Sequence, residues 1–141
     1  MFDHGLSARG LRVLLTTLAG TTALIALATD IYLPALPNLT TSMHVTDGAA
    51  QLTLTATFVG MMAGQLIFGP LSDSFGRRRL LLIVTVATLV TAVACAVAPT
   101  ISFLTVARLL LGIAGGAGIA VGRAIASDIA KGPEAARVFS L

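Results

Sequence analysis

Charge is scarce in this chain. Only 11% of its 141 residues are Asp, Glu, Lys or Arg, against 56% hydrophobic ones. Soluble domains carry about 25% charged residues, so a water-exposed surface cannot be built from this inventory. Cysteine is limited to Cys95 inside an apolar run, which excludes a disulfide framework and a thiol-metal cluster and leaves a packing role. The two histidines, His4 and His44, lie in terminal or loop segments without metal-ligand spacing, so no metal is expected. There is no paired nucleophile and base and no phosphate-cradling loop, so an enzyme is not expected. The nine Lys and Arg residues outnumber six acidic ones, yet they gather at the ends of apolar runs, where membrane proteins put them. That distribution argues against a nucleic-acid partner.

What is present is a series of membrane-length apolar runs. A helix needs about 20 apolar residues to cross roughly 30 Å of hydrocarbon. Four spans meet that need, at residues 13–33, 51–71, 80–97 and 101–125. They are read as helices because open sheets leave backbone polar groups unsatisfied in lipid. Around them lie a tail (1–12), a loop (34–50), a charged loop (72–79), a short turn (98–100) and a final segment (126–141). The expected fold is therefore all-α integral membrane, with the bilayer itself as a partner. The opening also fits a secretory signal, with Arg9 and Arg12 before an apolar run and Ala26-Leu27-Ala28 as a cleavage site. The run continues to Pro34 and three further spans follow, which favours a span.

Lys and Arg occur on one side only. The tail holds Arg9 and Arg12, the loop 72–79 holds Arg77, Arg78 and Arg79, and the end of the fourth span with the last segment offers Arg123, Lys131 and Arg137; loops 34–50 and 98–100 hold none. Positively charged loops stay in the cytoplasm. The N-terminus and the arginine loop are expected inside, and loops 34–50 and 98–100 outside.

Two charges sit where lipid should forbid them. Arg108 lies fifteen positions before Arg123, or about 22 Å along a helix, so both cannot reach opposite interfaces without snorkelling. An arginine near the bilayer centre costs about 2.5–3.5 kcal/mol on insertion scales and by default signals function; the alternative is an arginine that snorkels outward. Gly112, Gly115 and Gly116 follow on the same side of the helix, where glycine permits close approach of a neighbour. Gly112–Gly116, Gly118–Gly122 and Gly60–Gly64 all fit small-xxx-small spacing. Asp30 is the second anomaly, near the outer end of the first span; a carboxylate in a poorly solvated site can take up a proton near neutrality, and a nearby arginine opposes that uptake. The alternative for Asp30 is an interfacial residue that starts a loop before Pro34. Gln51 and Gln65 add amides to the second span, Gln65 either as an interhelical hydrogen bond or as a substrate contact.

These residues resemble a known family. Gly69-x-Leu71-Ser72-Asp73-x-Phe75-Gly76-Arg77-Arg78 is similar to the cytoplasmic signature of the major facilitator superfamily, between its second and third helices. The stretch Asp30-Ile31-Tyr32-Leu33-Pro34-Ala35-Leu36-Pro37, with Gln51-Leu52-Thr53-Leu54-Thr55, resembles the bicyclomycin and chloramphenicol resistance branch. Leu104 to Gly112 looks like the fourth-helix motif of proton-coupled members, with Arg108 at its arginine, and Gly115 to Asp128 continues the likeness.

The resemblance implies the N-terminal part of a twelve-helix transporter in a bacterial-type cytoplasmic membrane. It would export drugs or other small xenobiotics by alternating access, with the proton gradient as energy source and no cofactor. Its partners would be a small-molecule substrate, protons and C-terminal helices absent from this sequence. Arg108 and Asp30 would couple protons. Gly69, Asp73, Gly76, Arg77 and Asp128 would form a charge network that latches one conformation; the spacing of Asp73 and Arg77 lets opposite charges meet on a helix. Gln65, Gly112 and Gly116 would line a cavity or pack helices. Ser74, Leu111 and Thr22 depart from the family's pattern, the first two at a basic and a glutamine position, the third where some relatives carry a second membrane carboxylate. Rival readings are a metabolite carrier of the same superfamily, a small four-helix oligomeric exporter, and a non-transporting membrane subunit.

Overall fold

The computed structural model describes residues 30–129 together with Thr16, Gly20 and Leu27, with backbone only at 72–75, 77–78 and 126–129. The expected tail, most of the first span and residues 130–141, with Lys131 and Arg137, lie outside the described residues. The chain divides into two compact units, Met1–Leu33 and Pro34–Leu141. In the first, Thr16, Gly20, Leu27 and residues 30–32 are helical. A short 3-10 turn, Leu33–Ala35, leads to four helices: α1 (Leu36–Met43), α2 (Asp47–Phe75), α3 (Arg77–Ala96) and α4 (Ile101–Ile129). Among the described residues, three stretches are long and apolar enough to cross a membrane: Asp47–Leu71, Arg79–Ala96 and Ile101–Ile125.

Several boundaries differ from those expected from hydropathy. The segment 34–50 is not a plain loop, because it holds α1 and the first turn of α2. Helix α1 has Pro37 in its first turn, which its fixed φ suits, and ends at His44, left-handed at φ 52° and ψ 45°, whose N–H donates to the Thr40 carbonyl. Helix α2 begins four residues before its apolar run because Thr46 Oγ1 accepts the Ala49 N–H at 3.4 Å and Asp47 places a negative charge in the first turn. At the other end α2 runs through Ser72, Asp73 and Ser74 to Phe75, so the expected loop 72–79 shrinks to Gly76 alone, with φ 82° and ψ 118°. Helix α4 is capped by Thr100, whose Oγ1 accepts the Phe103 N–H at 3.3 Å, and it continues past 125 to Ile129.

Packing makes α4 the hub. It meets α2 along most of its length and α3 along part, whereas α2 and α3 scarcely touch. Burial follows the same order: within an apolar 18-residue segment of each, 44% is buried in α4, 22% in α2 and 11% in α3. Leu80 and Val84 of α3 join Ala117 and Val121 of α4 in a buried cluster, with Phe68, Leu81 and Ile125 against it. Helix α3 tolerates Thr85, Thr88 and Thr91 because each hydroxyl donates to the carbonyl four residues earlier, at 2.7–2.8 Å, leaving no bare donor toward lipid.

Candidate functional site

Helices α2 and α4 run in the same direction, each from the outer side of the chain's expected topology to the inner, and they meet backbone to backbone. A Cβ at Gly60 would collide with the Leu109 carbonyl oxygen and lie 3.0 Å from Ile113 N; one at Gly64 would collide with the Ile113 carbonyl oxygen and lie 3.0 Å from Ala117 N. The contact is reciprocal. A Cβ at Gly112 would strike the Thr57 carbonyl oxygen, and one at Gly116 the Met61 carbonyl oxygen. Two of the three small-xxx-small motifs are thus the two halves of one seam. The third differs: Gly118 faces Val84 of α3 at an ordinary 3.5 Å. Thr53 and Thr57 are buried beside this seam, and their hydroxyls donate to Ala50 and Thr53 carbonyls of their own helix at 2.6 and 2.9 Å. These bonds meet the need of a buried hydroxyl to donate.

The seam positions Arg108. Helix α4 is continuous from Ile101, so Arg108 lies about 10 Å below its outer end at 1.5 Å per residue. The side chain is half-buried with its Nε fully enclosed. Leu104 and Ala107 close the helix face around Arg108, and Leu111 is half-buried one turn below it.

Gly115 corrects the expectation that the glycines after Arg108 all serve close packing. Gly112 and Gly116 touch α2, but Gly115 is buried and a Cβ there would meet nothing within 4 Å. By helical register it lies about 20° from Arg108, two turns inward. Gly115 therefore takes no part in the contact with α2. Gln65 is half-buried next to the seam glycine Gly64, and Gln51 is exposed at the outer end of α2. Asp30 is helical and exposed and belongs to the first unit, while Arg108 belongs to the second.

The residues of the proposed latch come to one end of the bundle. The glycine contacts pair α2 and α4 with an offset of about 52 residues, Gly60 facing Leu109–Ile113 and Gly64 facing Ile113–Ala117. Asp73 is therefore level with about Ile125, and Asp128 lies one helical turn further on. Arg77 opens α3 at the same end. The spacing argument for Asp73 and Arg77 does not hold, however. They stand on different helices, separated by Gly76, so the geometry of an i, i+4 pair does not apply. Their side chains, and that of Asp128, lie outside the described residues.

The family model of the Major Facilitator Superfamily matches residues 18–141. The chain is 40% identical over 131 residues to an uncharacterized MFS-type transporter, YdgK, of Bacillus subtilis, covering 92% of this chain and 33% of that protein. It is 51% identical over 59 residues to a chloramphenicol resistance protein of Pseudomonas aeruginosa, covering 42% of this chain and 14% of that protein. A bicyclomycin resistance protein homolog of Haemophilus influenzae is 30% identical over 111 residues, 79% of this chain and 28% of the relative. The chain spans about a third or less of the length of these relatives.

Proposed function

The chain belongs to the major facilitator superfamily, a family of membrane transporters rather than enzymes, and from that membership we propose that these helices serve proton-coupled export of drugs or other small xenobiotics. Two relatives carry resistance names, and this supports the choice of substrate class. The observation that carries the reading is Arg108: a basic side chain with an enclosed Nε, about 10 Å into a membrane-length helix. A packing role would be met by an apolar residue at far lower insertion cost.

In this reading Asp30 and Arg108 are the residues that couple transport to protons. Asp73, Arg77 and Asp128 latch the inner end, with the N-terminus and Gly76 on the cytoplasmic side of the cell's inner or plasma membrane. Protons and the small-molecule substrate are the partners, and no cofactor takes part.

Efflux in membrane vesicles with and without an imposed pH gradient tests this reading. Arg108→Ala is expected to abolish gradient-driven export at equal expression. Arg108→Lys, which lacks the planar fork, should keep at most part of it, and Asp30→Asn should make transport indifferent to the gradient. Unchanged gradient dependence in both Arg108→Ala and Asp30→Asn would reduce the two residues to anchors and leave a carrier of another coupling type.

A further inference from the structure

Helix α3 carries a stripe that neither packing nor the charge network uses. Leu82, Ile83, Val86, Val90 and Val93 are each more than half exposed, and Arg79, also exposed, precedes them. Taken at 100° per residue, all five lie within about 60° of Arg79. The stripe and the arginine therefore share one face. Along it runs a shallow depression of about 570 Å³, lined by Leu82, Ile83, Val86, Ala87, Val90 and Thr91. Thr91 turns its hydroxyl to the Ala87 carbonyl at 2.7 Å, so the floor is apolar throughout.

From these features we propose that the Arg79 face of α3 is a binding site for an anionic phospholipid, with the phosphate at Arg79 and an acyl chain along the depression. The dimensions fit one leaflet. From Arg79 to Val90 the helix rises about 16 Å, against about 15 Å for half of a 30 Å hydrocarbon core. The charge is at one end only, since residues 97–100 at the other end of α3 carry none, while Arg77 and Arg78 precede Arg79 in sequence. A neutral helix laid on the stripe would gain nothing from Arg79, whereas a headgroup phosphate completes it with a charge-assisted hydrogen bond. This site is independent of which solute the protein carries.

Native mass spectrometry of the purified chain in detergent reads it out, with dioleoyl phosphatidylglycerol, dioleoyl phosphatidylcholine and inorganic phosphate as probes. Phosphatidylglycerol should bind more tightly than phosphatidylcholine. Arg79→Gln should weaken phosphatidylglycerol about fivefold, the worth of one arginine near an anionic surface, and leave phosphatidylcholine unchanged. Arg79→Lys should keep the preference, and Ala87→Phe, which fills the depression, should weaken both lipids. Equal binding of the two lipids by the wild type would mean that something other than an anionic headgroup covers the stripe and would overturn the proposal. An equal loss in Arg123→Gln, an exposed arginine on α4, would replace the site by a diffuse surface potential. Full competition by inorganic phosphate would remove the acyl chain from it.

Discussion

Glycines do opposite work at two places on α2. In the seam with α4, Gly60 and Gly64 are buried and a methyl group at either would enter the backbone of α4. At the inner end, a methyl group at Gly69 or Gly76 would meet nothing within 4 Å; what matters there is backbone conformation, because Gly69 precedes Pro70 inside the helix and Gly76 sits at φ 82°. Membrane helices gain no hydrophobic advantage from associating in lipid and rely on close packing. The seam is thus where α2 is fixed, and the Gly69–Gly76 end is where its hydrogen-bond ladder is interrupted, since Pro70 has no N–H to give the Leu66 carbonyl. The same residue type makes one part of a helix rigid by contact and frees another by conformation.

The largest effect should therefore come from filling the seam. Gly116→Ala sets a methyl against the Met61 carbonyl oxygen and is expected to cost at least the roughly 1–3 kcal/mol typical of overpacking, seen as a lowered thermal midpoint in detergent. Gly112→Ala should behave alike. The double substitution should cost less than the sum, because α2 and α4 have already moved apart when the second methyl arrives. Full additivity would mean that the two glycines act separately, and the seam would not be one contact.

Much of this comparison can be read from the sequence, but unevenly. The spacing of Gly60–Gly64 and Gly112–Gly116 points to both halves of the seam, because a four-residue repeat keeps small residues on one helix face. It cannot say that they face each other, since pairing depends on which helices neighbour which. Spans α2 to α4 are visible as apolar runs of membrane length, the last of them holding Arg108 and Arg123. Their ends are not: Asp47-Gly48-Ala49-Ala50 is polar or small yet helical because Thr46 caps it, and Ser72-Asp73-Ser74 reads as a loop although α2 continues through it. Spacing groups Gly115 with its neighbours because it cannot distinguish a glycine that admits a helix from one that does not. The stripe below Arg79 is available from register alone, once positions 79, 82, 83, 86 and 90 are set on a wheel.

Gly76 should come next in size. Its φ of 82° with ψ 118° lies outside the left-handed helical region near +57°, +47° that asparagine tolerates. Both Gly76→Ala and Gly76→Asn are therefore expected to cost about 1–3 kcal/mol, with no rescue by asparagine. Rescue by Gly76→Asn in thermal unfolding would show that the junction relaxes to an ordinary left-handed turn, and the contrast with the contact-limited seam would weaken.

Gly115 separates space from packing. Gly115→Ala meets no atom within 4 Å, so stability should hold or rise by up to about 1 kcal/mol from helix propensity. A fall in thermal midpoint as deep as that of Gly116→Ala would place Gly115 in the seam after all.

The smallest effect is expected at Gly69, where two terms oppose each other. An alanine there finds nothing within 4 Å and gains about 0.5–1 kcal/mol over glycine in a helix interior. Against this, the Cδ of Pro70 crowds the N–H and Cβ of the residue before it and disfavours the helical conformation, which α2 nevertheless adopts through Gly69 and Pro70. Gly69→Ala in the wild-type chain should therefore change stability by less than about 0.5 kcal/mol, the range of substitutions that touch nothing special. In a Pro70→Ala background the crowding is gone, and the same Gly69→Ala change should stabilise by the full propensity difference. A double-mutant cycle on thermal unfolding measures that coupling. A zero coupling energy would mean that Gly69 is not there to let the helix pass through Pro70, and a large loss in both backgrounds would make it a contact glycine like those of the seam.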